Sequence, residues 1–358
     1  MAKKCFLVFT LIMICITGAA FYGIYTRAEE RLKAKKIPIE AKLPEEEPEI
    51  TDYPLPEAQT ETSNTENEYN RTNSLTNGQK YYTSLSSPEA TNVLLIGKDP
   101  AYSNYDTLII ASVDEKNQTV RLVDLPRDIY IDYTDSILAD LKENAGEFYH
   151  EKGSRKLNAA HVVGKKINYS PQNKRFAGKN GINFLTDLID EIFGIHIDDY
   201  MAIETDGFRE MVDYFGGVVV DVPYPMHYED PMQDLYIHLE PGLQVLDGEK
   251  AEGFVRFRQG YNKDGRMVSY SRAENTFLFL KSFFKQHVTL RNLTKAGKVY
   301  EIVRENASTS VQTIGEAYQY VRLLKKILEE GYTIESVTVE CTDSKKIDGA
   351  LYDIIRTK

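Results

Sequence analysis

The N-terminal segment constrains the fold of this chain most strongly. Residues 5–25 read CFLVFTLIMICITGAAFYGIY and contain no charged side chain. As a helix, at about 1.5 Å per residue, this run spans roughly 30 Å, the thickness of the hydrocarbon core of a bilayer. A cleaved signal peptide is the alternative, with a small-residue site at Thr17–Ala20, but the apolar run continues to Tyr25 beyond that site. We predict a transmembrane signal anchor at 5–25, with residues 1–4 in the cytoplasm.

The charges around this run do not settle its orientation. Two lysines precede it, whereas five basic residues and two glutamates follow it between Arg27 and Lys36. Counted strictly, the positive-inside rule does not favour a cytoplasmic N terminus. We still predict a single-pass protein with the C-terminal part outside the cell membrane, because signal anchors near a chain start commonly send the long C-terminal part across.

Residues 26–90 have the composition of a spacer. The stretch 45–70 contains nine acidic residues, three prolines and no basic residue. Such a segment is too polar to bury a core, and its prolines keep it extended. We predict a disordered acidic spacer at 26–90 and one folded domain at 91–358, with its core at 92–285 and a C-terminal extension at 286–358.

The net charge of −11 excludes one class of partner, because a nucleic-acid binder carries a basic face. Two of the three cysteines lie in the apolar run and Cys341 stands alone. The sequence therefore predicts neither a nucleic-acid partner nor a disulfide framework nor a cysteine-based metal site.

Strands alternate with helices from residue 92 onward, which predicts an α/β domain built in layers. Apolar alternation and turn residues place the strands at 92–99, 106–113, 119–125, 200–203 and 218–222. Apolar spacing of three and four places the helices at 157–167, 183–193, 205–215 and 268–286. The glycine-rich dinucleotide and nucleotide motifs and the H-E-x-x-H zinc motif are absent from the sequence.

Charged residues gather at the predicted strand ends. Arg127 and Asp128 follow Pro126, which ends the third strand. In the segment VRFR (255–258), two arginines lie two residues apart, so on a strand both would project from one face. Surface ion pairing explains such residues simply. The alternative is a phosphate site, in which arginine forks grip phosphate oxygens and carboxylates hold Mg²⁺. The candidates are Asp99, Asp106, Arg127, Arg256, Arg258, Arg266 and Arg272.

From residue 92 to about 281 the sequence resembles the LytR-CpsA-Psr family of Gram-positive bacteria, with a weaker echo at 332–339 and 347–349. Eight motifs in the family's order carry the resemblance: NVLLIGKD (92–99), DT (106–107), LPRD (125–128), KLNAA (156–160), DGF (206–208), FGGVVVDV (215–222), LEPGLQVLDG (239–248) and VRFR (255–258). A single anchor before an external domain is also the family's usual layout. The resemblance implies an α-β-α layered domain with a central mixed sheet.

The resemblance also implies a phosphotransferase that moves a glycopolymer, such as teichoic acid or capsule, from a polyprenyl-pyrophosphate lipid onto peptidoglycan. Arg127, Arg256, Arg258 and Arg272, with Arg266 nearby, would bind the pyrophosphate. Asp99 and Asp106 would hold Mg²⁺ (or Mn²⁺), and one of them would help to deprotonate the attacking hydroxyl. The lipid would enter an apolar tunnel beside the sheet. Candidate lining residues are Phe184, Leu188, Ile192 and Phe193, with ordinary core packing as the alternative for each of them.

The chain departs from the family pattern at two places. Asn104-Tyr105 stand where the family usually has Arg-Ser, and Asn275-Thr276 stand where it has Arg-Gln. These changes predict altered donor or acceptor preference and leave loss of activity open. Two alternatives to the transferase therefore remain: a catalytically weak scaffold that binds glycopolymer or polyprenyl phosphate, and a transcriptional attenuator, which the acidic charge and the missing helix-turn-helix signal disfavour.

Overall fold

The computed structural model describes residues 74–98, 104–170, 175–231, 235–261, 266–270 and 272–357. The predicted anchor, most of the predicted spacer and the candidate ligand Asp99 lie outside these residues. Within them, no helix has the length and apolar character needed to span a bilayer.

The strands and helices of the described residues follow the predicted alternation. The strands are β1 (Thr91–Lys98), β2 (Tyr105–Asp114), β3 (Thr119–Asp124), β4 (Asp199–Ile203), β5 (Val218–Val222), β6 (Met226–Asp230), β7 (Leu235–Leu239), β8 (Gly242–Leu246), β9 (Gln259–Tyr261), β10 (Met267–Ser269), β11 (Ala307–Thr309), β12 (Thr333–Thr338), β13 (Cys341–Ile347) and β14 (Ala350–Ile355). The helices are α1 (Asp135–Asn144), α2 (Gly146–Tyr149), α3 (Ala160–Lys166), α4 (Asn180–Phe193), α5 (Thr205–Tyr214), α6 (Gly248–Arg256), α7 (Arg272–His287), α8 (Ala296–Asn306) and α9 (Ile314–Glu330). Short 3₁₀ turns occupy Leu157–Ala159 and Leu290–Lys295.

A mixed sheet in the order β11-β4-β1-β2-β3-β12 forms the centre of the domain. The chain runs β1, β2 and β3 as an antiparallel meander, while β4 joins β1 and β12 joins β3 in parallel. Helices α1 to α4 carry the chain from β3 to β4, because strands that run in the same direction need a long crossover. The predicted α/β domain with a central mixed sheet is confirmed.

Both faces of the sheet are buried, which explains the continuous apolar runs in its central strands. In β1, Val93 and Leu95 enter one core, and Leu94 and Ile96 enter the other. Helices α5 to α9 cover the first core, whereas α1, α3 and α4 cover the second. Successive side chains of a strand point to opposite faces, so one alternating strand supplies both cores of the α-β-α sandwich.

The folded domain begins earlier than the predicted boundary at residue 91. Leu75, Tyr81 and Leu85 are buried in the second core, so residues 74–90 belong to the domain. The carboxylate of Glu191 on α4 accepts hydrogen bonds from both the backbone and the hydroxyl of Thr76, at 2.7 and 2.6 Å. The predicted end of the spacer at residue 90 was wrong. A segment that is too polar to form a core of its own can still dock a few apolar side chains onto a core formed by the rest of the domain.

The long helix predicted at 268–286 begins later than expected. Residues 267–269 form β10, which pairs with β9, and the helix starts at Arg272. The helix predicted at 183–193 is α4, and Gly194 closes it in the left-handed conformation at φ 67°. Glycine adopts this conformation without the steric cost that a Cβ atom would add.

Candidate active site

Four segments distant in sequence meet at one end of the sheet. Asp106 lies near the start of β2, Arg127 follows β3, Arg256 ends α6 and Arg272 begins α7. All four line a polar cavity of about 280 Å³. Its walls also include Asn104, Asp128, Phe148, Glu151, Lys152, Lys156, Asn158, Tyr228, Asp230 and Arg258.

A β-bulge sets the position of Asp106. Gly97 pairs with Thr107 and Lys98 pairs with Tyr105, so Asp106 has no partner across the ladder between β1 and β2. The extra residue interrupts the alternation of β2, and Tyr105 enters the second core together with Leu108. Bulges of this kind re-aim a side chain at the edge of a sheet. The bulge was not predicted from the sequence.

The carboxylate of Asp106 bridges two of the candidate phosphate ligands. Its Oδ1 accepts a hydrogen bond from Nη1 of Arg127, and its Oδ2 accepts one from Nη1 of Arg272 at 2.7 Å. Burial by itself raises the pKa of Asp106, but the charges and hydrogen bonds of Arg272 and Arg127 outweigh burial, so the pKa lies below its ordinary value. Asp106 is therefore an ionised clamp that holds two guanidinium groups side by side.

A second carboxylate, Glu252, orients Arg256. Glu252 lies one helical turn earlier on α6, is 2% exposed, and accepts a hydrogen bond from Nη1 of Arg256 at 2.6 Å. Its other oxygen accepts from Arg209 on α5. Sequence reasoning missed Glu252, although a glutamate four residues before an arginine on a helix is a recognisable pairing signal.

The segment 255–258 is not the strand that we predicted. Residues 248–256 form α6, and Phe257 is its C-cap with extended φ and ψ of −63° and 123°. The side chain of Phe257 is buried, while Arg256 and Arg258 on either side of it line the polar cavity. One extended residue at a helix end thus places both arginines at the cavity, which is the result predicted for a strand.

Arg266 is not among the candidates that line the polar cavity. It is exposed and does not line this cavity or either of the two cavities described next. Asp99 lies outside the described residues, so its predicted role as a metal ligand stays a prediction.

An apolar cavity of about 120 Å³ adjoins the polar one. The two share Asp106, Arg256 and Arg272. Apolar side chains of α5, α6, α7 and the sheet make up much of the remaining lining, among them Leu95, Ile109, Phe208, Val255, Phe279 and Leu280. Polar residues at its border include Lys98, Glu204 and Glu252. A third cavity, of about 360 Å³, lies along the ends of β2 and β3 and also contains Asp106, Arg127 and Arg272.

The predicted tunnel residues lie on the face of the sheet opposite the one that supplies most of the apolar cavity's lining. Phe184, Leu188, Ile192 and Phe193 pack in the second core, and none of them lines the cavities described here. Ordinary core packing, the alternative for each of these four residues, therefore describes them, and a lipid tunnel beside the sheet stays a prediction. An apolar helix stripe identifies a buried face, but periodicity does not tell which of two cores receives it.

The part of the cavity wall next to Arg127 also carries paired polar groups. Lys156 Nζ donates to Asp128 Oδ1 at 2.8 Å, so both charges are compensated. The backbone N–H of Asn158 donates to the carbonyl of Arg127 at 3.1 Å. The buried Oδ1 of Asn158 has no hydrogen-bond partner among the described residues.

The described residues suit a magnesium ion only in part. Among them, no group of three or more His, Cys, Asp or Glu side chains is arranged to hold a metal. Mg²⁺ usually takes only one or two protein carboxylates and completes its shell with phosphate oxygens and water. Asp106 can supply one such carboxylate, because each of its oxygens retains a lone pair beside its arginine. The donor set thus fits an ion that arrives with a phosphorylated ligand.

Asp124 ends β3 and lines the third cavity, where burial raises its pKa to about 6 despite a hydrogen bond from Thr338. The folded state then holds this proton more tightly than the unfolded state, so its contribution to stability decreases as the pH rises towards 6. Asp124→Asn should therefore stabilise the fold, by about 1 kcal/mol more at pH 7.5 than at pH 5. Urea denaturation at both pH values measures the difference, and an equal effect at both would contradict the assignment.

The two departures from the family pattern have different surroundings. Asn104 lines the polar cavity, whereas Tyr105 is buried and stacks on His161 with ring centroids 3.6 Å apart. Asn275 is 1% exposed on α7, and Thr276 lines the apolar cavity. Two of the four positions therefore line the cavities, and the other two are buried.

Fold and site together define a class: an α-β-α domain in which a guanidinium-rich polar cleft adjoins an apolar cavity at one end of a mixed sheet. The model of the LytR_cpsA_psr family matches residues 55–358. The chain belongs to this family, as the eight motifs predicted.

Among relatives, the chain is 25% identical over 218 residues to the polyisoprenyl-teichoic acid–peptidoglycan teichoic acid transferase TagV of Bacillus subtilis, an alignment that covers 60% of this chain and 47% of TagV. It is 26% identical over 275 residues to Biofilm regulatory protein A of Streptococcus mutans, covering 72% and 61%. The chain thus spans less than two thirds of the length of either relative.

Solved structures share the fold. Protein gbs0355 of Streptococcus agalactiae superposes with a TM-score of 0.55 and 20% identity, covering 74% of this chain and 82% of that one. The crystal structure of TagV gives a TM-score of 0.52 and 22% identity, covering 75% and 92%. At these identities the likeness establishes the architecture alone.

Proposed function

We propose that this chain is a membrane-anchored phosphotransferase that moves a glycopolymer of the teichoic acid or capsule type from a polyprenyl-pyrophosphate lipid onto peptidoglycan, outside a Gram-positive cell. The observation that carries the proposal is the pair of adjoining cavities. One is polar and lined by arginines, the other is apolar, and Asp106, Arg256 and Arg272 border both. A lipid pyrophosphate has this same division between an apolar chain and a charged head.

The proposed reaction exchanges one P–O bond for another. A peptidoglycan hydroxyl oxygen attacks the phosphorus that bears the glycan and forms a phosphodiester. The bond from that phosphorus to the bridging oxygen breaks, polyprenyl phosphate leaves, and the hydroxyl proton is released. Arg127, Arg256 and Arg272 would stabilise the charge that gathers on the leaving phosphate, because guanidinium forks meet phosphate oxygens with two donors.

We propose Asp106, with Asp99, as the carboxylates for Mg²⁺ (or Mn²⁺). When bound, the ion would neutralise charge on the phosphate oxygens. The remaining work belongs to side chains already in place: the arginines position the head group, and the wall around Lys156 and Asn158 would hold sugar next to it. A scaffold that binds the same lipid without turnover is the competing function, and the assay below separates the two.

The test is a transfer assay with the full chain in detergent micelles, a synthetic polyprenyl-pyrophosphate glycan, Mg²⁺ and a peptidoglycan oligomer. Arg127→Lys, Arg256→Lys and Arg258→Lys should each lower transfer about ten- to a hundredfold, because lysine replaces a two-donor fork with a point charge. Arg304→Lys, on α8 and outside the three cavities, is the matched control and should behave as wild type. Lipid binding without any product in the wild type would favour the scaffold, and turnover insensitive to all three changes would reject the site.

A further inference from the structure

A buried polar residue behind the site connects two of the segments that carry its arginines. Asn275 lies on α7, one turn after Arg272, and is 1% exposed. Its Nδ2 donates a hydrogen bond to the backbone carbonyl of Phe257 at 3.1 Å. Phe257 is the C-cap of α6 and stands between Arg256 and Arg258. Asn275 lines none of the three cavities, so it would act through its neighbours.

The Phe257 carbonyl needs this partner for a physical reason. The last carbonyls of a helix have no partner within the helix, and a buried carbonyl without a hydrogen bond is costly. The Phe257 side chain is buried, and the chain leaves α6 in an extended conformation at this residue. The amide of Asn275 satisfies the carbonyl and ties the end of α6 to the first turn of α7.

Two tyrosines hold Asn275 and the segment after Phe257. The hydroxyl of Tyr224 donates to Asn275 Oδ1 at 2.6 Å, which fixes which end of the amide faces Phe257. Tyr224 stacks on Tyr270 at 4.1 Å, and the backbone N–H of Tyr270 donates to the carbonyl of Arg258 at 2.8 Å. The carbonyls of two successive residues, Phe257 and Arg258, are thus held by one connected cluster.

We propose that Asn275 is a positioning residue that aligns Arg256 and Arg258 with Arg272 as a single pyrophosphate-binding unit. The inference rests on the proposed function, since it assigns the pyrophosphate to these arginines. Arg272 is fixed to Asp106 at 2.7 Å and Arg256 to Glu252 at 2.6 Å. Asn275 links the helix ends that carry these two ion pairs through the backbone carbonyl of Phe257.

The experiment measures the affinity of the full chain, in detergent micelles, for inorganic pyrophosphate by calorimetry. Asn275→Asp keeps the shape of the side chain but places an oxygen against the Phe257 carbonyl, so the helix end should move away. We expect pyrophosphate binding about tenfold weaker, as when one charge-assisted contact is lost. Tyr224→Phe removes only the hydroxyl that orients the amide and should weaken binding about threefold, which keeps the test available if Asn275→Asp does not fold.

Asn183→Asp is the matched control, because the chain repeats the same device far from the site. Asn183 is buried in α4, and its Nδ2 donates to the backbone carbonyl of Phe176 at 2.9 Å. Its replacement should lower the melting temperature to a similar degree and leave pyrophosphate binding unchanged. Equal losses of binding in Asn183→Asp and Asn275→Asp, or no loss in Asn275→Asp and Tyr224→Phe, would overturn the positioning role. A wild-type protein that binds no pyrophosphate would instead reject the pyrophosphate site, and the positioning role with it.

Discussion

Asp106→Asn is expected to lower transfer at least about a hundredfold while donor binding stays equal or becomes tighter. The carboxylate accepts hydrogen bonds from Arg127 and Arg272, and charge-assisted bonds contribute roughly 1.5–3 kcal/mol each. An asparagine has one acceptor oxygen, and its N–H₂ group would face the second guanidinium. Removing a negative charge also makes the cavity more attractive to a pyrophosphate. The loss should therefore appear in kcat and not in KM, which steady-state kinetics with varied lipid donor would measure.

Asp114→Asn provides the control on the same strand. Asp114 is the last residue of β2, at the end opposite Asp106, and it is buried. It accepts hydrogen bonds from the backbone and side chain of Asn117 at 3.0 and 2.7 Å. Its replacement should lower stability and leave kcat unchanged, because Asp114 lines none of the three cavities. If Asp106→Asn retained wild-type kcat, Asp106 would be neither a clamp nor a metal ligand. A loss of the same size in both variants would show a general effect of destabilisation.

Glu252→Gln should lower the free energy of unfolding by about 3 kcal/mol and weaken pyrophosphate binding as well. Removing one partner of a buried ion pair leaves the other charge uncompensated, which typically costs about 3–5 kcal/mol. The Arg256 side chain is only 11% exposed and cannot easily turn to solvent, whereas Arg209 at 36% can. Because Glu252 also aims Arg256 at the polar cavity, both quantities should change together. Urea denaturation and pyrophosphate calorimetry would measure them.

Glu249→Gln, on the exposed side of the same helix, isolates this effect. It removes the same charge from α6, and exposed substitutions usually change stability by no more than about 0.5 kcal/mol. A double variant, Glu252→Gln with Arg256→Met, should recover part of the stability because no buried charge is left alone, but it should not recover binding. Equal stability losses in Glu249→Gln and Glu252→Gln would contradict the buried ion pair.

The sequence by itself determined the class of fold and most of the candidate cluster. A buried strand can be recognised in the sequence because both of its faces are apolar, as in β1. A capping glycine such as Gly194 marks the end of a helix. Four of the seven charged candidates, Asp106, Arg127, Arg256 and Arg272, meet in the structure, and Arg258 lines the same cavity. The eight motifs also identified the family without any knowledge of the fold.

Tertiary structure alone decided how these residues are held. The contact between Arg272 and Asp106 joins positions 166 residues apart, and it depends on a bulge in one strand and on where α7 begins. Local periodicity cannot report such a contact, since it records which face of an element is buried but not what lies against that face. For the same reason the periodicity of α4 did not tell which core receives its apolar stripe, and the docked residues 74–90 were taken for spacer. Asn275 and Glu252 likewise gained their roles only once the helices were packed.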